Sequence, residues 1–244
     1  MRIPRIYTPQ LLVTQQPLLL ETAASRHLLT VLRLKPGASL VLFDGSGREF
    51  EASLEAMENR QARILIRSQR ASRSESPLKI TLAQGISRGE RMDYTLQKAV
   101  ELGVAEILPV LTERSVVRLD KQHAAHKQQH WQQLVIAACE QSGRVCVPAV
   151  RIPLSLSGLL AELPRHGLKL LLDPEAGSAV GDLPRPLHDQ ILLLAGPEGG
   201  LSAAEISAAQ GAGFTAVRLG PRVLRTETAA VVALSLLQSL WGDL

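Results

Sequence analysis

The sequence predicts a two-part protein: a small β-structured N-terminal third, read as a barrel, followed by an α/β domain built on a parallel sheet. Three observations predict this. The first third carries short strand patterns separated by Gly- and Pro-containing turns. The remainder alternates uninterrupted apolar strands with helical segments, the pattern of a parallel sheet covered on both faces. Between them, residues 68–77 (SQRASRSESP) are polar, Ser/Arg-rich and without periodicity, as in an interdomain linker. The expected domains are 1–72 and 73–244.

The elements follow in order. Ser39–Phe43 is a short apolar strand, Asp44-Gly45-Ser46-Gly47 a turn, and 48–54 alternates on the far side, which together signal a hairpin. Lys35-Pro36-Gly37 is a turn just before it, and 62–67 (ARILIR) a further strand. Beyond the linker, 78–84 is a strand. Ser87-Arg88-Gly89-Glu90 has capping-box spacing and opens a helix with Met92, Leu96, Ala99 and Val100 on one face, ending at Gly103. The strand 106–110 precedes a long helix, 124–141, with Trp131, Leu134, Val135 and Ala138 on one stripe and Ser142-Gly143 as its stop. Leu168–Leu172 and 191–195 are apolar strands. Ser202-Ala203-Ala204-Glu205 is a second capping box, whose helix stops at Gly211-Ala212-Gly213. The last strand is 215–219, and Thr226 is expected to cap the final helix. Residues 228–240 of that helix are apolar on nearly all sides, too short to span a membrane, and read as a buried core helix.

Composition bounds the function. The 244 residues suit one or two domains, and 45% hydrophobic with 20% charged residues excludes disorder and fibres. The formal charge of +4 is unevenly spread: residues 1–75 hold 11 Lys+Arg against 7 Asp+Glu, and residues 76–244 hold 16 against 16. An excess made almost wholly of arginine marks either an anionic partner or a solvated charged face. Aromatic residues are 3%, which argues against modules that stack bases on rows of rings. Cys139 and Cys146 exclude a disulfide scaffold and lack zinc spacing, so a reduced, cytoplasmic setting and no metal are expected. The N-terminal stretch lacks a signal-peptide apolar core, and no apolar run is long enough to cross a membrane.

In open parallel sheets, ligands bind beyond the carboxyl ends of the strands. Three strand ends carry unusual residues: Leu172-Asp173-Pro174-Glu175; Ala195-Gly196-Pro197-Glu198-Gly199-Gly200; and the stretch from Leu219-Gly220-Pro221 through Arg225-Thr226-Glu227-Thr228. Glycine lets backbone groups approach a ligand, and the last two loops lead into helix N-termini with free N–H groups. Such loops suit a flat, polar-edged ligand such as a nucleobase. No G-x-G-x-x-G follows a strand, and there is no G-x-x-x-x-G-K-[ST], G-x-S-x-G or metal-ligand cluster. Ordinary dinucleotide sites, P-loop NTPases and α/β-hydrolases are thereby excluded.

Taken together, LLLAGPEGGLSAAEISAAQGAGF and LGPRVLRTETAAVVALSLLQ strongly resemble the SPOUT-class RNA methyltransferases, and among them the RsmE family, which methylates N3 of a uridine in bacterial 16S rRNA. RIPRIY, HLLTVLRLKPGASLVLFDGSG, RGERMDYTLQKAVELGV and IAACEQSGR extend the resemblance nearly end to end. It implies a PUA-like β-barrel, an α/β domain tied in a deep trefoil knot at about 168–230, a homodimer, and S-adenosylmethionine held in the knot. By the match, Leu172, Gly196, Leu219, Gly220 and Leu224 contact the cofactor, with Glu198, Gly199 and Thr226 at or near it.

Neutral uracil carries a proton on N3, so methylation there requires its removal or stabilisation of the resulting anion. Arg225 is the first candidate, either favouring the anionic base or positioning a phosphate or helix end. Glu198 or Glu227 is the candidate proton acceptor; alternatively Glu198 braces the glycine loop and Glu227 supports a helix dipole. Arg2, Arg5, Arg26 and Arg33 are expected to hold rRNA phosphates, with Arg88 and Arg91 extending the track. The target uridine must be unpaired or flipped, because N3 lies on the pairing edge. Rival readings are a non-catalytic ribosome-binding factor and a SPOUT tRNA ribose methyltransferase.

Overall fold

The computed structural model describes residues 3–72, 74–116, 120–163 and 167–244. It forms two compact units, Met1–Glu75 with Cys139–Val147, and Ser76–Ala138 with Pro148–Leu244.

In the first unit, β1 (Arg5–Tyr7) and β2 (Pro17–Leu19) lead to α1 (Thr22–Arg26) and a π-helical turn (His27–Val31), followed by β3 (Ser39–Phe43), β4 (Arg48–Glu58) and β5 (Gln61–Ala71). The strands form one sheet in the order β1-β3-β4-β5-β2. The expected hairpin is β3–β4, joined where the Asp44 carboxylate accepts the Ser46 N–H. Alternation places Leu40 and Leu42 of β3 and Ala62, Ile64 and Ile66 of β5 on one face, over a core with Ile6, Leu20, Leu28, Phe50 and Leu54. Register shifts at Glu51/Ala52 and Leu54/Ala56 bend the β4–β5 pair.

The linker reading of 68–77 is corrected at its start. Residues 68–71 continue β5 and pair with Arg48–Glu51 of β4. Ser68 donates to the Glu51 carboxylate, so side-chain pairing replaces apolar alternation there, and periodicity alone does not reveal it. At the other end, Glu75 is held by Arg144, whose side chain is only 6% exposed, and by the Val145 and Cys146 N–H groups. Burial pushes the Glu75 carboxyl up, but these donors outweigh it and hold it below its ordinary range. Cys139 beside this network is buried, which pushes its thiol up to about 12 and keeps it an unreactive thiol.

The second unit contains β6 (Lys79–Gly85), α2 (Glu90–Glu101), β7 (Glu106–Leu111), α3 (Lys121–Ser142, to Ala138), β8 (Ala149–Val150), β9 (Leu154–Ser155), α4 (Leu156–Ala161), β10 (Leu168–Leu172), β11 (Ser178–Ala179), β12 (Gln190–Ala195), α5 (Ala203–Gly211), β13 (Thr215–Arg218) and α6 (Thr226–Trp241). The sheet is parallel, in the order β11-β13-β10-β12-β6-β7-β8, with β9 also on β7. The β10 and β12 positions are leucine-rich because both faces are covered. α6 buries Ala230, Ala233, Leu234 and Leu237, packs on α2 and β12, and leaves Leu236 and Leu240 exposed.

The Ser202–Glu205 capping box forms as expected, with Ser202 Oγ accepting the Glu205 N–H and the Glu205 carboxylate accepting the Ser202 N–H. The box expected at Ser87 does not. Gly89, at φ 52°, is the cap position of α2, and the turn it makes sends the buried Ser87 hydroxyl back toward the Gly85 carbonyl. Thr226 is likewise the first residue of α6; Arg225, with extended backbone, occupies the cap position without a capping hydrogen bond.

Candidate active site

β13, β10 and β12 lie side by side, so the loops leaving their carboxyl ends converge. They enclose a cavity of about 530 Å³. All eight residues expected to hold the cofactor line it: Leu172, Gly196, Glu198, Gly199, Leu219, Gly220, Leu224 and Thr226. Arg225 and Glu227 line it too. Its apolar wall comes from Leu172, Ile206, Val217, Leu219 and Leu224, and its polar edge from loop backbone and charged side chains. Gly200 (φ +68°) and Gly220 (φ +105°) turn the chain through left-handed backbone that side chains disfavour.

A buried latch behind this wall escaped the sequence reading. Gln84, fully buried at the end of β6, donates from Nε2 to Thr226 Oγ1 at 3.2 Å and to the Gly196 carbonyl at 3.4 Å. Thr226 Oγ1 itself donates to the Gly196 carbonyl at 2.6 Å. Two of the three loops are thus tied to one strand end. The partners of Gln84 lie 112 and 142 residues away, so nothing local in the sequence marks it. Arg114 was also missed; it lines the cavity and donates to the Gly199 carbonyl at 3.1 Å.

The charged groups divide into occupied and open. The Glu198 carboxylate accepts from the Arg88 N–H at 2.9 Å and from the Arg91 guanidinium at 3.1 Å. Burial pushes this carboxyl up, but those donors and its own N–H outweigh burial and hold it below its ordinary range. Glu198 thus ties the glycine loop to the start of α2. The Arg225 and Arg222 side chains line the cavity and make no ion pair among the described residues. Glu227 Oε2 is buried and has no hydrogen-bond donor among the described residues.

The expected RNA contacts fall on both units. Arg26 and Arg33 are exposed on the first unit and make no ion pair among the described residues. Arg88 is exposed, and Arg91 reaches the cavity rim. Arg5, also expected at the rRNA, is engaged within the fold. Its side chain is 13% exposed, pairs with Glu49 at 2.7 Å, donates to the Gly143 carbonyl at 3.0 Å and lies over the Phe43 ring, so it serves the fold. Arg2 lies outside the described residues.

The chain is similar to known proteins along most of its length. Residues 74–238 match the RNA methyltransferase domain family, and residues 20–67 match the RNA methyltransferase PUA domain family. The parallel-sheet unit with its strand-end cavity is thus the catalytic domain of an RNA methyltransferase. A Buchnera aphidicola protein named ribosomal RNA small subunit methyltransferase E is 34% identical over 243 residues, covering 100% of this chain and 98% of its own. A Bacillus subtilis protein of the same name is 31% identical, covering 86% and 84%. This chain belongs to the ribosomal RNA small subunit methyltransferase E family. Among solved structures, the Neisseria gonorrhoeae family member bound to S-adenosylmethionine is 43% identical, with a TM-score of 0.93 over 99% of both chains. A Legionella pneumophila methyltransferase, also with its bound S-adenosylmethionine, is 45% identical, with a TM-score of 0.95 over 100% of both.

Proposed function

We propose that this protein transfers the methyl group of S-adenosylmethionine to N3 of a uridine in 16S rRNA of the small ribosomal subunit. The observation that carries this reading is the convergence of all eight motif-matched residues on one cavity beside Arg225, which makes no ion pair among the described residues. The site fits the cofactor: the volume is that of a small-molecule pocket, the wall is apolar, and Asp173 and Glu175 offer carboxylates to a cationic ligand. When bound, S-adenosylmethionine supplies an electrophilic methyl on sulfur.

Leu172, Leu219 and Leu224 are assigned to its apolar contacts, and the loops at Gly196, Gly199 and Gly220 to backbone contacts, with Thr226 holding Gly196 in place. Arg225 is assigned to stabilise the N3-deprotonated uracil. Arg26 and Arg33, with Arg88 and Arg91, are assigned to rRNA phosphates, in the same subunit or its partner. We further read residues 1–72 and 73–244 as the two functional domains, 168–230 as a trefoil knot, and the protein as a cytoplasmic homodimer. Insertion of β12 between β10 and β6, with β13 beyond β10, supports a threaded chain. Exposed Leu236 and Leu240 on α6 support the dimer.

Three measurements bear on this reading. Thr226→Val keeps the side-chain shape but removes the hydroxyl that donates to Gly196 and accepts from Gln84. Losing a buried donor costs about 1–3 kcal/mol, so cofactor affinity by calorimetry falls roughly tenfold. Affinity within twofold of wild type contradicts the latch. For the RNA track, affinity for small-subunit rRNA falls steeply with salt, and Arg26→Ala with Arg33→Ala lowers that slope by about two. A flat binding curve removes the phosphate role. Reverse transcription of treated rRNA tests the function itself: a block at one uridine is expected, because N3 methylation occupies the pairing edge.

A further inference from the structure

Resting on the uridine-N3 reading, we infer that Glu227 is the group that takes the N3 proton. The cavity holds four carboxylates: Asp173, Glu175, Glu198 and Glu227. Glu198 is held by Arg88 and Arg91 and is a weak base. Asp173 Oδ1 accepts the Glu175 N–H at 3.0 Å, closing the turn after β10, and Glu175 is exposed to solvent. Glu227 differs from all three: its Oε2 is removed from water and has no donor among the described residues. A buried acceptor without a donor is costly, and a bound substrate can supply one. Uracil N3–H is such a donor, and it is the one that must be lost before N3 can be methylated.

Position supports the role. Glu227 is in the first turn of α6, on the wall of the cavity. It is two residues from Arg225, whose guanidinium makes no ion pair among the described residues and is free to face the uracil carbonyls. Arg222, Arg114 and Arg91 line the same cavity; Arg114 is engaged by Gly199 and Arg91 by Glu198. In the step, the N3–H proton passes to Glu227 Oε2. The N3 electron pair forms the new bond to the methyl carbon as the methyl–sulfur bond breaks, its electrons staying on sulfur. Glu227 then releases the proton to water.

The test is Glu227→Gln, read by cofactor affinity as well as by rate. The expected result is cofactor affinity within about twofold of wild type and methyl transfer at saturating cofactor at least about a hundredfold slower, the scale of a lost general base. The deficit should shrink as pH rises, because alkaline solution removes the N3 proton unaided. An unchanged rate overturns the inference. So does a large loss of cofactor affinity with wild-type turnover at saturating cofactor, which would make Glu227 a cofactor ligand. A deficit constant at every pH also overturns it. If Glu227→Gln does not fold, Glu227→Asp replaces it: a slower rate with the wild-type pH profile supports the assignment, and an unchanged rate overturns it. A wild-type protein that methylates an atom other than N3 defeats the underlying reading instead, whatever Glu227 does.

Discussion

Replacing Arg225 with alanine lowers methyl transfer at saturating cofactor by about 100- to 1000-fold, the usual consequence of removing one donor aimed at developing negative charge. Its guanidinium lines the cavity and makes no ion pair among the described residues, so no internal partner competes for it. The backbone at Arg225 is extended and makes no side-chain cap, so alanine leaves the start of α6 in place. Arg225→Lys recovers only part of the rate, because an ammonium cannot offer two parallel N–H groups to a uracil edge. Single-turnover rates and filter-binding of rRNA check both roles. A rate and an rRNA affinity that both match wild type contradict any functional part for this residue.

Gly85→Ala is expected to weaken cofactor binding by roughly 10- to 100-fold and to lower Tm by about 2–10 °C, through an overpacking cost of about 1–3 kcal/mol. The added Cβ would stand 2.5 Å from the Pro197 nitrogen and 2.8 Å from the Gly196 carbonyl carbon. Both belong to the backbone of the glycine loop, which must move away from the end of β6. The Gln84–Gly196–Thr226 latch then loses its geometry. Gly177→Ala is the control, since its Cβ meets nothing within 4 Å, and it should bind cofactor normally. Calorimetric titration and thermal melting of both variants check this; equal cofactor affinity for Gly85→Ala contradicts the tight seat.

Much of this site was readable in the sequence because its parts are local. Glycine, proline and acidic residues break apolar strands at Leu172, Ala195 and Leu219, and parallel-sheet topology places strand ends together. The Ser202–Glu205 cap was readable for the same reason, since both partners lie three residues apart. What escaped depends on distant pairing. Gln84 works through Gly196 and Thr226, more than a hundred residues away, and nothing local distinguishes it from an ordinary strand end. Arg5 looked like a free cation because its partner Glu49 comes from another strand. Ser68–Ala71 looked like a linker because its pairing with β4 uses polar side chains. Thr226 was read as a helix cap, whereas its hydroxyl is used across the cavity wall by Gly196.

The central claim is that this cavity delivers a methyl group to N3 of one uridine. The most direct measurement is incubation of the protein with methyl-labelled S-adenosylmethionine and small ribosomal subunits, followed by digestion to nucleosides and identification of the labelled product. Label recovered as 3-methyluridine, from a single position of 16S rRNA, is the predicted result. Label in a ribose 2′-O-methyl nucleoside, in tRNA alone, or nowhere while cofactor binding is intact would contradict it.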